Sequence, residues 1–291
     1  MRQFGLSLPV VQQVPMRTQP WEAAAGPATL ERVARAADRL GFAWITCSDH
    51  VAVPASYAPA MGATWYEPGT TLAFLAAVTE RVRLLSHVLV LPYRHPLTVA
   101  KTYATLDRLS GGRVILGAGS GHLKPEFKSL GVDYDHRGPI TDEYVRALCV
   151  ALETEVSSFE GATLRWRDMI VSPRPCQQPR PPVWIGGNGA AAARRAAALE
   201  GWIPWQLTPE LFRERAAAIR ALRAAAGLSD ALALVAPLSV PRSGAAAQVL
   251  DEVHVWLAAG ATAFNAGLAS ESETDLVERM EWFAGEVIAR L

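Results

Sequence analysis

Cysteine is scarce in this 291-residue chain: Cys47, Cys149 and Cys176 stand far apart and are odd in number. None falls in a C-x-x-C pair, so no disulfide framework or thiolate metal site is expected. The thiols read as reduced ones in a cytoplasmic protein. Net charge is missing too, with Lys+Arg at 28 and Asp+Glu at 28. A nucleic-acid partner would call for a basic excess or stripe, so that class is excluded. No apolar run reaches the ~18 residues of a membrane span. The start, MRQFGLSLPVVQQV, has no basic segment leading into a long apolar one, so no secretion signal is expected. None of the six histidines pairs at H-x-x-x-H or H-x-H spacing, which argues against a bound metal. There is no G-x-S-x-G, and no thiol lies in a nucleophile motif.

What the chain does have is a large apolar fraction, 50%, against 19% charged residues. That is enough to bury a sizeable core and is unlike a disordered chain. Short β-rich runs alternate with longer helical patterns. The runs are 3–8, 42–47, 81–92, 113–119, 181–187, 202–205, 231–240 and 261–267. Helical patterns cover 27–41, 68–81, 97–112, 141–153 (with Thr141 as the cap), 190–201, 209–227, 245–260 and 274–291. Strands alternating with helices imply parallel strands joined by right-handed crossovers. Eight such units predict one α/β domain over 1–291, a closed (βα)8 TIM barrel. The Pro-rich stretch 154–182 does not fit the alternation. It reads as an insertion between units four and five, packed as a hairpin and lid beside the barrel mouth.

In such a barrel the chemistry lies at the C-terminal ends of the strands. Two ends are glycine-rich: LGAGSG (116–121) closes strand four and IGGNG (185–189) closes strand five. Their glycines either make tight turns or let backbone N–H groups cradle a phosphate between neighbouring strands. The phosphate set is Gly117, Gly119, Ser120 and Gly121 with Gly186, Gly187, Asn188 and Gly189. A dinucleotide fingerprint is rejected, because no strand ending in an acid follows about 20 residues later. Asp49-His50 at the end of strand two is the acid/base candidate, with His50 as the proton carrier; Asp49 either tunes it or, because adjacent strand residues point to opposite sides, anchors the loop or cofactor. Glu67 precedes Pro68 and reads first as a helix cap, with a pocket role as the alternative. Tyr93-Arg94-His95 reads as a cap for the next helix. His87 lies inside an apolar strand, and His122 ends a glycine loop where it could enter the mouth. Tyr57, Met61, Trp65 and Tyr66 in loop 48–67, with Trp205, suggest a pocket for a hydrophobic organic molecule.

Several stretches carry a family resemblance: FAWITCSDHV (42–51), the block 81–132 with SHVLVLP and GAGSGH, FEG (159–161), and PRPCQQPRPPVWIGGNG within 173–204. Together the sequence resembles the luciferase-like flavin or deazaflavin oxidoreductases, in particular the branch dependent on coenzyme F420. The resemblance implies a (βα)8 barrel with its cofactor ring at the strand C-termini and the phosphate between the two glycine turns. It also implies a non-proline cis peptide against the back of the ring. The matching position is His87-Val88, after Ser86. The implied activity is hydride transfer between reduced coenzyme F420 and a small, hydrophobic organic substrate. The alternative is an FMN-dependent monooxygenase whose flavin is reduced by a separate partner enzyme. A homodimer is implied on the same ground.

Overall fold

A computed structural model describes residues 2–291. Eight parallel strands close a barrel: β1 (Gln3–Ser7), β2 (Trp44–Cys47), β3 (Arg83–Ser86), β4 (Val114–Gly119), β5 (Val183–Gly186), β6 (Gly201–Ile203), β7 (Ala233–Val240) and β8 (Ala263–Leu268). Each pairs with its chain neighbour. The ring is closed by β1 on β8, with Phe4 opposite Phe264. Eight helices surround it: α1 (Pro27–Leu40), α2 (Pro68–Ala76), α3 (Pro96–Leu109), α4 (Arg137–Glu153), α5 (Ala190–Ala197), α6 (Pro209–Ala225), α7 (Ala246–Ala258) and α8 (Glu273–Glu286). Proline opens α1, α2, α3 and α6, where its fixed φ suits the first turn and its missing N–H has no intrahelical partner to lose. Gly41 ends α1 with φ 81°, a left-handed cap that needs glycine.

The barrel interior is filled by Trp44, Leu85, Ile115, Trp184, Ile203, Val235 and Ala263. The two indoles meet edge to face, with centroids 5.1 Å apart at 89°. Their bulk fits because the facing strands carry glycine. A Cβ on Gly5 would lie 1.8 Å from Trp44 Nε1, and one on Gly201 would lie 2.5 Å from Trp184 Cδ1. Removing either indole would leave a cavity of the kind that costs about 3–5 kcal/mol. A larger apolar layer, including Phe4, Leu30, Val33, Leu72, Tyr103, Leu148, Phe212, Phe264 and Phe283, joins barrel to helices.

Among the differences from the sequence reading are a break in one strand and an earlier start of one helix. The run 81–92 is not one strand: β3 stops at Ser86, the His87–Val88 peptide is cis, and only Leu89–Val90 resumes pairing with β4. Thr141 is not a cap. Helix α4 already begins at Arg137, and the Thr141 hydroxyl donates to the Arg137 carbonyl at 2.7 Å. In the insertion, Ser157–Glu160 and Arg165–Met169 pair as an antiparallel hairpin. The hairpin packs on α4 and reaches the start of α3. Glu143 of α4 holds its tip by accepting from Thr163 N (2.9 Å) and Leu164 N (3.0 Å). Trp166 stacks on Phe159 and reaches His95 at 6.0 Å.

Candidate active site

The C-terminal ends of β1–β8 form a mouth whose floor rises at the β3 bulge. Val88 turns toward the barrel interior there. The neighbouring strands make room for it with glycine. A Cβ on Gly119 would lie 2.7 Å from Val88 Cγ2, and one on Gly186 would lie 2.7 Å from Val88 Cγ1. Gly117 also belongs to the wall, since a Cβ there would sit 2.0 Å from the Ser86 carbonyl oxygen. The fully buried Ser86 hydroxyl donates to Gly117 O and accepts from Gly117 N, both at 3.0 Å. Ser86 and Gly117 therefore tie β3 to β4, which departs from the ligand-contact role expected of them. Further out, Ser120, Gly121, Asn188 and Gly189 carry backbone N–H groups without a protein acceptor among the described residues. Gly187 has φ 115°, which orients the β5 turn just before the N-terminus of α5. Two turns at the ends of the paired strands β4 and β5 thus carry free N–H groups, a donor set suited to a phosphate.

His50 lies on the rim, and its side chain is 6% exposed. Its Nδ1 is 2.7 Å from Glu126 Oε2. A carboxylate accepts only, so Nδ1 carries the proton and Nε2 is left for a bound molecule. Glu126 is itself fully enclosed. It accepts from Tyr93 OH at 2.9 Å, Val51 N at 2.5 Å and Ala52 N at 3.1 Å. Burial acts to raise the Glu126 carboxyl, but the bonds from His50, Ala52 N–H and Tyr93 outweigh it and hold the group below its ordinary range. Burial and the adjacent carboxylate push the Tyr93 phenol upward, so it remains a donor. Trp65 packs edge-on against the His50 ring at 4.5 Å, and His122 does so at 5.5 Å. Desolvation, then His50, lowers the His122 imidazole, so it is neutral near pH 7.

Asp49 does not touch that imidazole. Its two oxygens take a bidentate pair from Arg94, at 2.7 and 2.9 Å, and Oδ2 also accepts from Val90 N at 2.8 Å. It anchors the segment after the β3 bulge, and the catalytic role expected for it is not what its contacts serve. Glu67 caps α2 by accepting from Thr70 N at 2.6 Å, with Arg94 at 3.9 Å. His87 is half-buried, and desolvation lowers its imidazole to about 4, so it is neutral. Burial pushes the nearby Cys47 thiol up to about 12, which leaves it inert. On the far rim the Asn188 side chain clamps the Trp205 backbone, with Oδ1 accepting from Trp205 N at 3.0 Å.

The profile of the luciferase-like monooxygenases matches residues 1–288. The chain belongs to that family. Among similar proteins is an FMNH2-dependent dimethylsulfone monooxygenase of Pseudomonas putida, 30% identical over 175 residues; the match covers 59% of this chain and 46% of that protein, so the chain spans less than half of that relative. A monooxygenase of Streptomyces bottropensis has the same fold, with a TM-score of 0.83, 21% identity and 99% of both chains covered. So does a coenzyme F420-dependent tetrahydromethanopterin reductase of Methanopyrus kandleri, with a TM-score of 0.80, 18% identity and 99% of both chains covered. As a luciferase-like protein the chain falls among oxidoreductases and monooxygenases with a TIM-barrel fold. Among the described residues no helix is long and apolar enough to cross a membrane, and no three His, Cys, Asp or Glu residues cluster as metal ligands.

The structure brings His50, Trp65 and His122 together and adds Glu126 and Tyr93, which the sequence reading does not name as partners. The run His122-Leu-Lys-Pro-Glu126 reads as polar loop. The available signal is Pro125 at the start of a short helix (Lys124–Ser129), which turns Glu126 inward directly after the glycine loop.

Proposed function

We propose that the mouth holds the deazaflavin ring of coenzyme F420 and that the chain transfers a hydride between reduced F420 and a small hydrophobic organic substrate. The observation that carries this reading is His50, buried on the rim with Nδ1 committed to Glu126 and Nε2 uncommitted. The fit of the cradle supports it. Val88 rises between two glycine walls where a Cβ would collide, and two turns offer free N–H groups.

When bound, the ring supplies or accepts the hydride. Val88 would support the ring from the barrel side. The N–H groups of Ser120, Gly121, Asn188 and Gly189 hold the phosphate. His50 Nε2 gives or takes the accompanying proton, and Glu126 keeps the imidazole in one tautomer and orientation. Trp65 and Trp205, with His122, exclude water from the substrate side. An FMN-dependent monooxygenase, served by a separate flavin reductase, is the second reading. It is favoured by the 30% identity to an FMNH2-dependent enzyme.

Equilibrium titration with F420 and with FMN, followed by ring fluorescence, tests the choice. F420 is expected to bind at least about tenfold more tightly, a difference of roughly 1.4 kcal/mol. The reverse order would establish the FMN reading. Binding of neither would remove both.

A further inference from the structure

Around the mouth nearly every charged side chain is matched. Asp49 is paired with Arg94, Glu126 with His50, and Glu67 with Thr70 N–H. Arg17 is the exception. It sits in the loop between β1 and α1, and its guanidinium lies over the Trp205 ring at 4.4 Å. Among the described residues no acceptor meets it, and no carboxylate opposes the desolvation that sets it below its ordinary value. A stacked guanidinium keeps its N–H groups at the edge of the plane, where a planar or tetrahedral oxyanion can take two of them at once.

Both partners are held in advance. The turn at Arg17 is closed by Arg17 N on Val14 O at 2.8 Å and Thr18 N on Val14 O at 2.9 Å. Its base is fixed by Glu22, which accepts from Val10 N at 2.7 Å and Gln19 N at 2.9 Å. The same loop is laced to the His50 side of the mouth through Gln13 N on Thr64 O at 3.0 Å and Tyr66 N on Val11 O at 2.9 Å. Trp205 is 55% exposed, yet its backbone is clamped by Asn188 of the β5 turn. The loops after β1 and β6 are therefore bridged across the rim by one cation on one indole, with a positive edge left over.

We infer that Arg17, stacked on Trp205, is an oxyanion-binding residue that takes a carboxylate, sulfonate or phosphate group of a molecule bound in the mouth. The anion comes either from the substrate or from the phosphate of the cofactor. The inference needs the mouth as a binding site but not a particular ring. It differs from the glycine turns in using a side-chain cation, supplied from a loop on the other side of the mouth.

The test compares wild type with Arg17→Gln and Trp205→Leu, each checked for an unchanged melting temperature. Each is titrated calorimetrically with riboflavin, with FMN, and with benzoate in the presence and absence of riboflavin. Losing a charge-assisted pair of bonds should weaken the anionic probe about tenfold in Arg17→Gln and severalfold in Trp205→Leu. Weaker benzoate binding with FMN unchanged assigns the anion to the substrate. Weaker FMN binding with riboflavin unchanged assigns it to the cofactor phosphate. Wild type that binds no benzoate and binds FMN no better than riboflavin overturns the inference, as does equal affinity of wild type and Arg17→Gln for every probe. Failure of riboflavin to bind would count against the FMN reading alone, since benzoate on the free protein still reports on Arg17.

Discussion

Replacing His50 by asparagine should lower turnover on the order of 10²-fold or more, the contribution of a positioned acid/base group. Cofactor affinity should stay close to that of wild type, because the proposed phosphate contacts come from Ser120, Gly121, Asn188 and Gly189. Some stability will be lost as well. The Glu126 carboxylate gives up its 2.7 Å partner but keeps Tyr93 and two backbone N–H groups. A remaining hydrogen-bond deficit of this kind costs about 1–3 kcal/mol. Melting temperature, cofactor affinity and single-turnover rate on the one variant separate the roles. Normal turnover per folded molecule would reduce His50 to a packing residue against Trp65.

The second large effect belongs to Asp49. Its side chain is 1% exposed and that of Arg94 is 22% exposed, so Asp49→Ala leaves a guanidinium largely buried without its partner. Breaking such a pair costs about 3–5 kcal/mol. Val90 N loses its acceptor in the same step. The midpoint of urea unfolding should fall accordingly with its slope unchanged. Refolded enzyme that is fully active but much less stable would confirm Asp49 as an anchor. A variant of wild-type stability and sharply reduced turnover would return it to the chemistry.

The fold was legible because its signals are local. Runs such as WITC and VILGAG are short, apolar and bounded by glycine or charge, and Pro27, Pro68, Pro96 and Pro209 mark helix starts. Nothing local marks the break in β3. Leu-Leu-Ser-His-Val-Leu-Val-Leu is nearly uniformly apolar; the family resemblance points to a cis peptide at His87-Val88, and its physical setting is Gly119 and Gly186 in place to receive Val88. The site was half legible for the same reason. His50 follows a strand and so falls at the mouth, but its partner Glu126 lies 76 residues away, inside a polar stretch with no periodicity. Asp49 beside His50 reads either as a dyad or as a loop anchor, and the structure shows the second. Adjacent residues on an extended chain point to opposite sides, and Asp49 found Arg94, 45 residues on.

Everything proposed for the chemistry depends on the mouth above Val88 being a ring site. A crystal structure of the protein with oxidised F420 or FMN bound tests it most directly. The ring is expected against Val88, its phosphate between residues 120–121 and 187–189, and His50 Nε2 within hydrogen-bond reach of the ring or of the space beside it. A ring bound at the opposite end of the barrel, in the cleft between Arg83, Glu200 and Thr262, with the mouth left empty, would contradict it.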